Sequence, residues 1–91
     1  MSKLMSKILL IDDDTNFVYI IKTILKSKDK KVYAVNNVEN AIDILRANDN
    51  IIDLILTDYS LCCGNTCMPL FDYLQDINSN IPVIVLSANE Y

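Results

Sequence analysis

Short apolar runs alternate along the chain with segments in which apolar residues recur at helical spacing. Lys7–Ile11 reads as a strand covered on both faces, and it stops abruptly at Asp12, Asp13 and Asp14. Phe17, Ile20, Ile21, Ile24 and Leu25 then predict an amphipathic helix from about Thr15 to Ser27. Asp14 or Thr15 is placed to cap its first amides, and Lys26 and Lys28 suit its C-terminal end. Lys31–Val35 is a short strand rich in β-branched and aromatic residues. Asn36 or Asn37 caps a second helix, whose apolar face is Val38, Ala41, Ile42 and Leu45. After a turn at Asn48-Asp49-Asn50, Ile51–Thr57 is the third strand, and Asp58 ends it. Leu70, Phe71, Leu74 and Ile77 mark a third helix, with Pro69 tolerated in its first turn. Ile81–Ser87 is the fourth strand; Met1–Ser6 reads as a loose leader and Ala88–Tyr91 as a stub.

The order βαβαβαβ predicts an α/β fold, a doubly wound parallel sheet in three layers joined by right-handed crossovers. Ninety-one residues make one small domain, 1–91, and just over half of them are apolar, which excludes disorder by composition. A formal charge of −4 argues against nucleic acid or an anionic membrane as partner. No export signal is visible, and no apolar run approaches the roughly 20 residues of a membrane helix. Cys62, Cys63 and Cys67 therefore read as reduced thiols in a cytoplasmic protein. Histidine is absent, which removes the usual metal ligand and pH switch.

Three of the strands end on polar groups: Asp12 and Asp13, Asp58, and Ser87. In open parallel sheets, ligands bind outside the carboxyl ends of the strands. Crowded carboxylates repel one another unless a cation lies between them. An oxygen-only donor set suits Mg²⁺ rather than zinc. A carboxylate beside such a cation can attack phosphorus and form an acyl phosphate, and Ser87 could hydrogen-bond a phosphoryl oxygen. Each residue also has a plainer role. Asp14 can be only a cap, Asp12 and Asp13 can serve as caps as readily as ligands, Asp58 alone is more often an ordinary turn residue, and Ser87 alone is uninformative. The joint pattern favours the site, because the plainer account needs three separate coincidences.

These motifs together resemble the receiver domain of two-component response regulators. Ile8-Leu9-Leu10-Ile11-Asp12-Asp13-Asp14 looks like the family's first strand and acidic cluster. Asp53-Leu54-Ile55-Leu56-Thr57-Asp58 looks like its third strand, ending on the phospho-accepting aspartate. Ile81-Pro82-Val83-Ile84-Val85-Leu86-Ser87-Ala88 looks like the fourth strand with its switch hydroxyl. The resemblance implies a flavodoxin-like topology with strand order 2-1-3-4, the fifth strand being absent. It implies that Asp58 accepts a phosphoryl group from a sensor histidine kinase or phosphotransfer protein. Mg²⁺ would be held by Asp13, Asp58 and the backbone carbonyl of Ser60, with Asp12 helping through water, and Ser87 would be the switch hydroxyl. The domain would then act as a phosphorylation switch, not as a turnover enzyme.

The chain departs from the family in three places. Cys62 stands where proline is frequent, and Thr66 where glycine is usual. The cysteines are no part of the pattern; three thiols without histidine are short of a zinc site, and inert reduced thiols are favoured over metal binding or oxidant sensing. The chain ends at Tyr91, before the part that carries the family's active-site lysine and switch aromatic, so the domain reads as C-terminally incomplete. Lys22, Lys26 and Lys28 cannot stand in for that lysine by motif. With the fifth strand absent, the apolar fourth strand becomes an edge, which predicts a dimer or larger assembly. An alternative function is a degenerate receiver that serves only as a protein interaction module. A weaker third is a Mg²⁺-dependent phosphohydrolase, which would need a further general acid–base.

Overall fold

A computed structural model of the chain describes residues 6–48, 51–61 and 64–86. Its elements alternate as the pattern predicts: β1 (Ser6–Ile11), α1 (Thr15–Lys26), β2 (Lys30–Val35), α2 (Val38–Asn48), β3 (Leu54–Asp58), α3 (Met68–Asp76) and β4 (Val83–Leu86). The strands are parallel and lie in the order β2-β1-β3-β4. The expected leader reaches to Ser6, but Ser6 already begins β1; its residues 1–5, the Asp49-Asn50 part of the turn before β3, Cys62, Cys63, Ser87 and the residues after it lie outside the described residues.

Side-chain alternation divides the sheet into two faces. Leu9, Ile11 and Ile55 point to one face, where Ala41 and Leu45 of α2 and Leu70 and Leu74 of α3 close over them. This cluster is the core, and most of its members have no solvent exposure. Ile8 and Leu10 point to the other face and are also buried. There α1 lies against β2 and contributes nothing to the main cluster. None of its residues is fully buried, and Ile20 and Ile24, part of the apolar spacing that predicts the helix, are largely exposed. Phe17, Ile21 and Leu25 carry the helix's packing instead, each half-buried.

The caps resolve two open choices. Asp14 caps α1, its carboxylate accepting from the N–H groups of Asn16 and Phe17. Asn37 caps α2, accepting from the N–H of Asn40 at 2.7 Å. Pro69 falls at the start of α3, where no N–H is needed.

Two strands start later than the pattern suggests. β3 begins at Leu54 and not at Ile51, because Asp53 is engaged with the start of β1. The Asp53 N–H donates to the Lys7 carbonyl at 2.7 Å, and the Asp53 carboxylate accepts from the Lys7 N–H at 2.8 Å. This reciprocal pair fixes the register before the strands run together. β4 begins at Val83; Pro82 has no N–H for a ladder, although its carbonyl still accepts from Ile55. β4 forms one edge of the described sheet, with Ile84 48% and Val85 41% exposed.

Leu45→Ala, at a fully buried position of α2, is expected to cost about 3 kcal/mol in urea unfolding. Ile24→Ala, on the exposed stripe of α1, is expected to cost less than about 1 kcal/mol. Equal costs would contradict the burial assigned to the two helices.

Candidate functional site

Register brings the acids together. Ile11 of β1 pairs with Thr57 of β3, so the next residues, Asp12 and Asp58, leave the sheet side by side. The Asp12 N–H donates to the Val35 carbonyl at 3.1 Å, which ties this corner to the end of β2. The Asp12 carboxylate accepts from the Asp14 N–H at 2.9 Å and is only 7% exposed. Asp13, between them, is exposed, and Asp58 is half-buried. One carboxylate oxygen from each of Asp12, Asp13 and Asp58 lies within 4.8 Å of the others.

The cluster is electrostatically strained. Burial is the main cause that raises the Asp12 carboxyl above the ordinary carboxylate range; the Asp14 amide opposes it, and the charges of Asp58, Asp13 and Asp14 add to it. Asp58 is raised likewise, by burial first and by Asp13 and Asp14, with the backbone amides of Tyr59 and Ser60 pulling the other way. An all-oxygen donor set whose members are destabilised by their own charge fits a hard divalent cation, which would remove the repulsion.

The loop after β3 is held by the sheet and by itself. The Tyr59 N–H donates to the Leu86 carbonyl, and the Tyr59 carbonyl accepts from Cys67 at 2.9 Å. Ser60 bridges to Thr66, and the Leu61 N–H donates to Asn65. Gly64 takes φ 79°, a conformation that disfavours a side chain. A groove of about 860 Å³, bounded by Asn36–Val38 on one side and Asn65 and Thr66 on the other, opens beside Asp13.

Three of the expected site residues, Asp12, Asp13 and Asp58, therefore converge. Ser60 lies two residues beyond Asp58 in the bridged loop. Ser87 lies outside the described residues, but Leu86, just before it, pairs with Asp58. Sequence reasoning missed two supporting residues. Thr57 is fully buried, and its hydroxyl donates to the Asp58 carbonyl at 3.0 Å. Cys67 is a fully buried free cysteine; burial chiefly, and the Asp58 charge in addition, push its thiol up against an opposing backbone hydrogen bond. A polar residue inside an apolar strand was the available signal for Thr57; Cys67 reads in the sequence as one of three reduced thiols, and only its burial beside the site has no signal there.

A parallel sheet in the order 2-1-3-4, with carboxylates gathered at its carboxyl edge, defines a flavodoxin-like α/β domain with an acidic ligand site. The family model of the response regulator receiver domain matches residues 8–91. The chain is 31% identical over 85 residues to the two-component response regulator ARR10 of Arabidopsis thaliana, covering 91% of this chain and 15% of that protein. It is 34% identical over 84 residues to the transcriptional regulatory protein CpxR of Escherichia coli K12, covering 92% of this chain and 34% of that protein. The solved receiver domain from Clostridium thermocellum superposes with a TM-score of 0.81 at 27% identity, over 90% of this chain and 64% of that one. The chain belongs to the response regulator receiver domain family. Membership implies phosphoryl acceptance in two-component signalling, the work of a signalling domain and not of a conventional enzyme. Among the described residues no helix is long and apolar enough to cross a membrane.

The raised carboxyls carry a sign. A carboxyl raised by folding holds its proton more tightly in the native state than in the unfolded chain. Its contribution to stability therefore falls as pH rises from the ordinary carboxylate range through the raised value. Asp12→Asn keeps an acceptor for the Asp14 amide while removing the charge. In chelator at pH 7 it is expected to raise the thermal midpoint, with the difference shrinking toward acid pH; scanning fluorimetry across pH checks this. A lower midpoint at pH 7 would mean that the charge is not a net burden.

Proposed function

We propose that Asp58 accepts a phosphoryl group from a phosphohistidine on a sensor kinase or phosphotransfer protein, in a Mg²⁺-dependent reaction, and that the domain works as a phosphorylation switch. The observation that carries this reading is the convergence of the Asp12, Asp13 and Asp58 oxygens within 4.8 Å at the end of the two central strands. Asp13 and Asp58 would bind Mg²⁺ directly, Asp12 through water, and the Ser60 backbone carbonyl would complete the protein's ligands. When bound, Mg²⁺ supplies the positive charge that offsets the phosphoryl oxygens and the acids around them.

The chain's own part is to aim the nucleophile. The Tyr59 amide is hydrogen-bonded to Leu86 and the Thr57 hydroxyl to the Asp58 carbonyl, so both polar groups of the peptide that follows the acceptor are anchored. An Asp58 carboxylate oxygen attacks phosphorus as the P–N bond to the imidazole breaks. The electron pair of that bond leaves on the ring nitrogen, and an acyl phosphate forms on Asp58. Ser87, which follows the residue paired with Asp58, is the proposed switch hydroxyl. A cytoplasmic setting agrees with a phosphohistidine donor. The exposed apolar edge of β4 supports pairing with a second copy of the chain. Sedimentation at micromolar concentration is expected to show a dimer or larger assembly, and a monomer would argue against that pairing.

Incubation of the protein with Mg²⁺ and acetyl phosphate, followed by intact mass, is expected to show one added phosphoryl group. Asp58→Asn should abolish the addition, Asp13→Asn should remove most of it, and chelator should prevent it. Unlabelled wild type under conditions that label another receiver domain would overturn this reading in favour of an interaction-only module.

A further inference from the structure

Positive charge in this acidic chain is concentrated at one place. Five of its eight basic residues, Lys22, Lys26, Lys28, Lys30 and Lys31, fall between the end of α1 and the start of β2, with Asp29 the acid among them. Lys22, Lys26, Lys30 and Lys31 line a groove of about 580 Å³ together with Tyr19 and Val32. Tyr19, Lys22 and Lys26 follow one another at helical spacing, so they form a single stripe on α1. That stripe runs beside β2, an edge of the described sheet. Tyr19 is 71% exposed. Among the described residues no carboxylate forms an ion pair with any of the four groove lysines. Lys31 lies over the Tyr33 ring, 5.4 Å from its centre, and Tyr33 packs on the α2–α3 face, so the Lys31 ammonium is turned from α1 and the charge on the α1 side of the groove is that of Lys22, Lys26 and Lys30.

Part of this has a plain cause. Lys26 complements the negative end of the α1 dipole. Lys30 and Lys31 on an edge strand discourage edge-to-edge pairing. Neither role calls for Lys22, for an exposed tyrosine in line with it, or for the convergence of helix and strand lysines on one concave surface.

We propose that this groove docks an extended acidic segment of a partner protein, laid along the β2 edge with its carboxylates meeting the lysines. Three features favour a peptide over a nucleic acid or a membrane. An edge strand offers unpaired backbone groups that only another peptide chain can use. Tyr19 and Val32 supply apolar contact between the charges. The net charge of −4 repels a long polyanion while leaving a short local positive field intact. The groove is built by α1 and β2 and includes none of the acids gathered around Asp58, so it operates whether or not Asp58 is phosphorylated.

The test is fluorescence anisotropy on the 91-residue protein at low ionic strength. The probes are a labelled peptide of alternating Glu and Val, a labelled single-stranded oligothymidylate, and phosphatidylserine vesicles. The peptide should bind saturably, and binding should weaken as salt rises. Combined Lys22→Glu and Lys26→Glu should weaken it by about tenfold or more. Combined Lys30→Thr and Lys31→Thr, which keeps strand propensity, should weaken it as well and provides the reading should the first variant fail to fold by circular dichroism. Acetyl phosphate labelling in the Lys30→Thr/Lys31→Thr protein should match wild type. No saturable peptide binding, binding unchanged in a folded variant, or tighter binding of the oligonucleotide or the vesicles would each overturn the proposal.

Discussion

The pairing of Ile11 with Thr57 is the constraint on which the rest depends. It sets Asp12, just past the end of β1, beside Asp58, the last residue of β3, so two carboxylates that sequence separates by 46 positions stand as neighbours. Like charges at that distance oppose folding, and something must hold the register against them. The structure holds it from both directions. At the bottom of the strands, Lys7 and Asp53 exchange two hydrogen bonds across the same pair. Along the strands, Leu9, Ile11 and Ile55 are locked under α2 and α3 with no exposure at all. A slip of one residue would turn this apolar set to the wrong face, which costs far more than the repulsion of a few partly solvated acids. Core packing therefore sets where the charges stand.

Repulsion held in place in this way is useful to a binding site. Asp12 and Asp58 are raised mainly because they are buried, and the charges around them add to it. Both effects are relieved by a cation and worsened by an added anion. On the proposed reading a phosphoryl group on Asp58 brings more negative charge into a place already overcharged, so its presence cannot be neutral for the surroundings. The parts in direct hydrogen-bond contact with Asp58's neighbours are the end of β4, through Tyr59 and Leu86, and the start of α3, through Tyr59 and Cys67. The α1–β2 side is joined to the site through Asp12, which bonds the Val35 carbonyl at the end of β2 and the amide of Asp14, the cap of α1. Any rearrangement at Asp58 is thus directed first toward β4 and α3.

Much of this was legible in the residues because the two strongest signals, apolar periodicity and abrupt strand ends, both come from burial. The element order and the convergence of Asp12, Asp13 and Asp58 follow from them, whereas the strand order comes from the family resemblance. The pattern was less reliable where a polar residue is engaged by a distant partner. Asp53 pulls the start of β3 out of the strand because of Lys7, a contact that no local rule contains. Ile20 and Ile24 carry the right spacing for an inner face, yet α1 leans on β2 through Phe17, Ile21 and Leu25 and leaves them in solvent. Periodicity reports that a helix has an apolar side. It cannot report how wide a strip the sheet will cover.

The two edges of the described sheet differ in a way that bears on what each can accept. β4 presents Ile84 and Val85 with no charge on the strand, so this edge of the described sheet is apolar. β2 presents Lys30 and Lys31 at its start, with Lys22 and Lys26 beside them on α1. Lysines there exclude an apolar strand, or another basic one, and admit an acidic one, because each buried contact would otherwise place a charge against apolar surface or like charge. One edge therefore selects by shape and apolar area, the other by sign of charge. The acids occupy the carboxyl ends of the central strands and the lysines the opposite end of an outer one. The two sets lie about one strand length apart, roughly 17 Å at ~3.3 Å per residue, which exceeds the screening length at physiological salt. A cation at one and an acidic segment at the other can bind without competing.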